Sequence, residues 1–299
     1  MSSMLNSKVQ KSLFGDPLPE RIVNVASVPM RSPFRYPGGK TWLVPRLRQW
    51  LHHVETRPKV FIEPFVGGGI IGLTVAFEKL ADKVIMVEMD EDVGAVWRTM
   101  LSDDNEWLAT RIEDFDLTEE SCRSVIAQTP GSIRDKAFRT ILKNRTFHGG
   151  ILAAGSAPVK FGENGKGIKS RWYAKTIAGR IRDIVSVQER IEFIQGDGIA
   201  VVREHSRNKE AAFFIDPPYT AAGKRAGNRL YTHHALDHES LFAATEKLSG
   251  DFLMTYDNAE ELVKMAERHE FQTRTIAMKN THHAVMNELL IGRDLSWLG

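Results

Sequence analysis

Asp216-Pro217-Pro218-Tyr219 is a short stretch whose residue types and order suit chemistry. It follows an apolar run, Ala211 to Ile215, that reads as a buried strand. Two prolines forbid the strand from continuing past Asp216. They also stiffen the turn. A carboxylate, the free backbone carbonyl of Pro217 and the ring of Tyr219 are thereby fixed at the carboxyl end of a strand, the edge where open α/β sheets bind ligands. Two acceptors beside one flat face suit an amino group carried on a flat ring. A proline-stiffened turn with a packing tyrosine is the plainer alternative.

A second constellation lies upstream. Val60-Phe61-Ile62 reads as a short strand, followed by Glu63-Pro64-Phe65-Val66-Gly67-Gly68-Gly69 and a helix over Ile70 to Leu80. Glycines let a ligand approach the backbone, and a helix N-terminus favours a carboxylate or phosphate. Lys83 to Val87 is a second strand ending at Glu88, and an acid at that place commonly takes ribose hydroxyls. Together they read as a nucleoside-cofactor site, with Asp90 the rival to Glu88. Before it, Tyr36-Pro37-Gly38-Gly39-Lys40 marks a tight turn. Thr41 is placed to cap a helix over Trp42 to His53. Seven histidines, among them the pairs His52-His53, His233-His234 and His282-His283, do not read as a metal site. Adjacent residues diverge on any regular element, and no cysteine cluster accompanies them.

The elements that must position these groups alternate. Helices are expected over Val93 to Leu101, through most of the region up to Leu142, and from Trp172 to Val187. Further strands are expected at Ile191–Ile194, Asp251–Thr255, Phe271–Ala277 and Met286–Ile291. The last two read as a closing antiparallel pair. A helix over Leu236 to Leu248, capped by Asp237, and another over Glu260 to His269 lie among them. Alternating strands and helices point to an α/β protein. Asn144 to Lys169 reads as a long Gly- and Lys-rich loop, and residues 1 to 30 as a polar arm. The single cysteine, Cys122, allows no disulfide within the chain and fits a reducing cytosol. No apolar run reaches membrane-span length and no signal-peptide core is present, so a cytoplasmic protein is expected. The net charge of +2 says little, but its distribution says more. From Arg134 to Arg182 there are 12 Lys/Arg against Asp135 and Glu163, whereas Asp103 to Glu120 holds 8 acids against Arg111 alone. That segregation makes a polyanion a natural partner for one region.

Four stretches in this order, Tyr36–Lys40, Glu63–Gly69, Asn144-Arg145-Thr146 and Asp216–Tyr219, resemble the Dam-type, D12 class N6-adenine-specific DNA methyltransferases. Asn287-Glu288-Leu289-Leu290-Ile291 resembles the closing strand of that family. Met254-Thr255-Tyr256-Asp257-Asn258 follows the family's Ser-Tyr-Ser-Asn pattern loosely, and the Gly149–Gly167 loop differs from that of Dam itself. The resemblance implies a Rossmann-like, S-adenosylmethionine-dependent methyltransferase with a mixed seven-stranded sheet. The catalytic domain would comprise residues 31–101 and 189–299, with a mainly helical target-recognition insert at 102–188. It implies a site-specific adenine methyltransferase (EC 2.1.1.72) that flips its target base out of double-stranded DNA. Asp216, Pro217, Pro218 and Tyr219 would be catalytic. Tyr36, Gly39, Lys40, Phe65, Gly67, Gly69, Glu88 and Asp197 would hold the cofactor. Arg145, Lys160, Lys166, Lys169, Lys224 and Arg225 are expected on the DNA, and no metal is. The chain is expected to be a monomer away from membranes, with a cognate restriction endonuclease acting separately. Cytosine-N4 and RNA methylation are rival readings, as is a catalytically inactive DNA-binding relative. Asp rather than Ser at position 216 argues for adenine.

Overall fold

The computed structural model describes residues 27–36, 38–153, 155–218, 236–279 and 285–299. Seven strands form one sheet: β1 (Val60–Glu63), β2 (Lys83–Glu88), β3 (Ile191–Gln195), β4 (Ala211–Ile215), β5 (Asp251–Asp257), β6 (Gln272–Lys279) and β7 (Val285–Gly292). Their order across the sheet is β3-β2-β1-β4-β5-β7-β6. The first five are parallel, and β7 runs antiparallel between β5 and β6. This is the mixed, Rossmann-like seven-stranded sheet that the resemblance implies. Strand order reverses between β1 and β4, which makes their carboxyl ends a topological switch point.

The parallel strands are short apolar runs because both faces are covered. Successive side chains alternate between two cores. Phe61, Val84, Met86, Ala212 and Phe214 enter one. Ile62, Ile85, Val87, Phe213 and Ile215 enter the other. The first face is covered by α1 (Val44–His53), α2 (Ile70–Phe77) and α3 (Glu91–Met100), the second by α8 (Gly198–Glu204), α9 (His238–Glu246) and α10 (Glu260–Arg268). Four helices lie between β2 and β3 beyond α3: α4 (Asn105–Glu113), α5 (Glu119–Ala127), α6 (Ile133–Thr146) and α7 (Ala174–Ile184). Their apolar residues, including Leu108, Ile141 and Ile181, join the first core without a break.

Three local expectations change. Thr41 does not cap a helix; Thr41–Leu43 is a 3-10 turn leading into α1, with no side-chain cap. The first turn of α1 holds Pro45, which needs no amide partner there. Asn144-Arg145-Thr146 is the last turn of α6, not loop; Phe147 N closes it on Lys143 O at 2.9 Å. The helix expected from Ile70 to Leu80 ends at Phe77. Asp237 does cap α9, accepting from Ser240 N at 3.0 Å.

Candidate active site

The glycine turn after β1 is built by backbone conformation first. Gly67 and Gly69 have φ of +45° and +64°, values that side-chain-bearing residues rarely adopt. Gly69 is also boxed in, since a Cβ there would lie 2.4 Å from the buried Trp97 ring. Trp97 Nε1 in turn donates to Gly67 O at 3.0 Å, so the indole braces the turn from below. Glu63, buried at the end of β1, accepts from Gly72 N at 2.8 Å inside the first turn of α2. Burial pushes its carboxyl well above the ordinary range despite that bond, and the charges of Asp216 and Glu88 push the same way.

Glu88 closes the turn from β2. One carboxylate oxygen accepts from Gly67 N at 3.0 Å and the other from Asp90 N at 2.9 Å. Burial is the chief reason its carboxyl rises to about 7; the backbone donors oppose it and the Asp90 charge adds to it. Asp90, the rival acid, is the N-cap of α3, accepting from Asp92 N at 2.8 Å and Val93 N at 3.2 Å. A carboxylate has about four lone-pair sites, and the two backbone donors leave Glu88 room for hydroxyl donors.

On the other side of the switch point stands Asp216. Ile215 pairs with Met254, so the next residues of β4 and β5, Asp216 and Thr255, fall side by side. Thr255 Oγ1 donates to Asp216 Oδ1 at 2.7 Å. Lys40 Nζ sits 2.9 Å from Asp216 Oδ2 and 3.0 Å from Glu288 Oε1, and donates to Gly38 O at 3.0 Å. Lys40 and Glu288 are each only 3% exposed. Burial works against the ammonium, but Asp216 and Glu288 outweigh it and hold Lys40 above its usual range. The carboxylate at the strand end is thus fixed by a hydroxyl on one oxygen and a buried cation on the other. Nearby, the buried Tyr256 hydroxyl lies 3.1 Å from His238 Nδ1.

The structure therefore brings Gly67, Gly69, Glu88, Lys40 and Asp216 to one edge of the sheet. Tyr36 joins them, since its ring lies where a Cβ on Gly67 or Gly68 would fall. Gly39 N closes the preceding turn on Tyr36 O at 3.2 Å. Phe65 packs at the N-terminus of α8, against Gly198. Asp197 caps that helix, accepting from Ile199 N at 2.9 Å, and is exposed at the edge. Pro217 and Pro218 follow Asp216 as non-regular backbone. Tyr219, Lys224 and Arg225 lie outside the described residues.

Lys40, expected at the methionine end of a cofactor, sets its ammonium on two carboxylates and a carbonyl. One placement differs from expectation. Arg145, expected on DNA, is 7% exposed and donates through Nε to Pro33 O at 3.0 Å. A guanidinium so placed braces backbone and cannot also reach out to a duplex. Lys160, Lys166 and Lys169 are exposed. The residues missed at sequence level are Thr255, Glu288, Glu63 and Trp97. Glu288 did carry a signal, an acid inside the apolar strand Asn287–Ile291, and Glu63 is likewise an acid at an apolar strand's end. Thr255 became visible only through the β4–β5 register.

Residues 36–125 match the family described as D12 class N6 adenine-specific DNA methyltransferase. No curated protein matches the chain. Among solved structures, an rRNA methyltransferase from Streptomyces viridochromogenes is similar at 14% identity and a TM-score of 0.39, over 86% of each chain. A candidate RNA methyltransferase from Pyrococcus horikoshii is similar at 12% identity and a TM-score of 0.38, over 87% of this chain and 84% of that one. A precorrin-6y C5,15-methyltransferase from Geobacter metallireducens is similar at 9% identity and a TM-score of 0.34, over 82% and 84%. At these scores the assignment of the fold rests on the strand order itself.

Proposed function

We propose that this chain, a methyltransferase by fold and by its D12 class match over residues 36–125, methylates the N6 of adenine within a short sequence of double-stranded DNA. The observation that carries the reading is the pairing across the switch point. A glycine turn lipped by Glu88 stands after β1, and a rigidly held carboxylate, Asp216, stands after the neighbouring β4.

S-adenosylmethionine fits the first half, since Glu88 offers acceptor sites for ribose hydroxyls and Gly67 and Gly69 bare the backbone. Asp197 would take the adenine amino group of the cofactor, with Tyr36, Gly39 and Phe65 lining the site. The cofactor supplies an electrophilic methyl group when bound. The remaining work belongs to the chain. Adenine N6 is a poor nucleophile because its lone pair is delocalised into the ring. Asp216 and the Pro217 carbonyl each accept one of its N–H bonds and favour a more pyramidal nitrogen, which frees the lone pair and aims it. Orientation and fixed electrostatics of this kind are each worth several kcal/mol. No strong base has to act first, because the proton is lost from a cationic product. Lys40 and Thr255 hold the Asp216 carboxylate in place, and Glu288 balances the charge of Lys40. Tyr219 would stack on the base, which must leave the duplex to reach the site. Helices α4 to α7 and the loop bearing Lys160, Lys166 and Lys169 form the proposed target-recognition insert.

The test is transfer of a tritiated methyl group to mixed-sequence duplex DNA, followed by nucleoside analysis. Label in N6-methyladenine is expected. Label in N4-methylcytosine, or in RNA alone, would replace this reading with one of its rivals. A wild type that binds S-adenosylmethionine but marks no nucleic acid would remove it.

A further inference from the structure

Among the described residues Phe161 is the most exposed large apolar side chain, at 82%, and the next is Tyr173 at 52%. A phenyl ring in water forgoes the gain that burial gives it. Single exposed apolar residues are common, and exposure by itself assigns no role. What sets Phe161 apart is the loop that carries it.

That loop is pinned at its start and closed at its neck. Just after α6, Phe147 pairs with Pro158 as an isolated antiparallel bridge. His148 N donates to Ala157 O at 3.0 Å, and Val159 N donates to Thr146 O at 2.9 Å. Further on, Gly167 N donates to Phe161 O at 2.8 Å and closes residues 161–167 into one turn. Gly162 takes a φ of +61° inside the neck, where a Cβ would run into Gly167 O and Ser170 Oγ. Ile168, next to the neck, is buried in the first core, and Ser170 is buried as well. Packing thus anchors the base of the loop and leaves the ring outside. The Phe161 carbonyl is held, so the ring stands on a fixed backbone.

The surroundings of the ring point to the kind of partner. Lys160 precedes it. The bond from Gly167 to Phe161 brings Lys166, the neighbour of Gly167, across the neck, and Lys169 follows. All three lysines are exposed. Glu163 is the only acid between Val159 and Arg171. Ammonium groups around one apolar ring match a partner that sets anions on either side of a flat apolar face. A duplex does so at every base step, with phosphates on both strands and base faces between them.

We propose that Phe161 is a wedge that enters a base step of duplex DNA, with Lys160, Lys166 and Lys169 on the flanking phosphates. The inference rests on the DNA reading above and adds to it the residue that deforms the duplex. Phenylalanine is among the apolar side chains that part neighbouring base pairs, and the resulting kink brings more of the duplex onto the protein. A ring on a fixed backbone loses little freedom on entry.

Affinity for a short mixed-sequence DNA duplex is measured across a salt series for the wild type, Phe161→Leu and Phe161→Ala. Phe161→Ala should bind about five- to a hundredfold more weakly, as loss of a stacked aromatic typically does. Its salt slope should not move, since no charge is lost. Phe161→Leu should keep part of the affinity, because leucine also serves as a wedge. Permanganate oxidises thymines that have lost their stacking, so duplex saturated with wild type should react more than duplex saturated with Phe161→Ala. Melting curves of the three proteins should coincide. A Phe161→Ala variant that binds as tightly as the wild type overturns the proposal. So does a loss of affinity without a difference in permanganate reactivity, which would place the ring outside the base stack. A lowered melting temperature in Phe161→Ala overturns it too, because the ring would then be packed on the protein itself. A loss seen on an RNA duplex of equal length but not on DNA overturns it in favour of RNA. The function is tested apart from this: a wild type that passes every one of these tests yet transfers no methyl group leaves the wedge standing alone, and a methylating wild type whose binding ignores Phe161 leaves the function standing alone.

Discussion

Around the carboxyl edge of the sheet, Glu63, Glu88, Asp216 and Glu288 converge, and Lys40 reaches two of them from a buried position. The insert is the opposite case, a segment with 12 bases between Arg134 and Arg182. At the edge Glu63, Glu88 and Asp216 stand at strand ends and Lys40 at a turn, while Glu288 lies within β7. In the insert the charges serve several ends. Arg182 is taken by Glu106 and Glu113, and Arg134 by Asp104. Lys143 donates to the Leu152 carbonyl, and Arg145 braces Pro33. Much of the basic surplus thus meets the acidic stretch on α4 or the protein's own backbone. Lys160, Lys166, Lys169 and Lys175 are exposed. Charge at a strand end reports a site, whereas charge counted over a helical region reports only a budget from which local pairing subtracts.

The sharpest break of this contrast is at Asp216 and Lys40. Asp216→Ala should cut methyl transfer on the order of a hundredfold or more while cofactor binding stays near wild type, because a preorganised contact to the reacting amino group is lost. Lys40→Met should act on stability as well. It leaves Glu288 buried and Asp216 half-buried without their cation, and removing one partner of a buried pair typically costs about 3–5 kcal/mol. Denaturant titration of Lys40→Met beside Lys169→Ala checks this. The edge variant should lose most of its stability margin and the insert variant almost none. Equal losses would mean that Lys40 is as dispensable as a surface lysine.

At the insert, Lys160→Ala, Lys166→Ala and Lys169→Ala combined should weaken duplex binding across all sequences and lower the salt slope by up to about three. The fold should be untouched, since surface substitutions of this kind stay within about 0.5 kcal/mol. If the slope does not move, the loop is off the phosphates.

How far the sequence could be read follows the same divide. Asp216, the glycine turn and Glu88 were legible because prolines, glycines and strand ends force backbone geometry, and geometry fixes what the side chain can meet. The strands were found within a residue or two because both faces of a parallel sheet demand unbroken apolar runs. The roles of Glu288 and Thr255 were not legible because they arise only when β5 pairs with β4 and β7 with β5, strands separated by tens of residues in the chain. Arg145 was misplaced for a related reason. Nothing local distinguishes an arginine that reaches a duplex from one that reaches a carbonyl 112 residues away.

The smallest effect, and the most specific, concerns Glu88 and pH. Its carboxyl is raised to about 7 from an ordinary 4.5, chiefly by burial. A raised carboxyl binds its proton more tightly in the folded protein than in the unfolded chain. Between about pH 4.5 and 7 the folded state therefore holds more protons, and stability falls as pH rises through that window. Cofactor binding has the opposite sign. Ribose hydroxyls donate to a carboxylate, so the ionised form of Glu88 is the one that binds. S-adenosylmethionine affinity should then rise from pH 6 to pH 8, approaching tenfold, because each pH unit below the pKa costs a factor of ten in the ionised population. Glu88→Gln should bind the cofactor more weakly at pH 8 and show no such rise, and its stability should fall less steeply between pH 4.5 and 7, where Glu63 still contributes. Calorimetry at pH 6, 7 and 8 on the two proteins measures the first effect, and melting curves over pH 4.5 to 7 measure the second. A wild-type affinity that is flat with pH would place the ribose contact on another residue, while a Glu88→Gln variant that keeps the pH trend would assign the titration to Glu63, whose carboxyl is raised for the same physical reason.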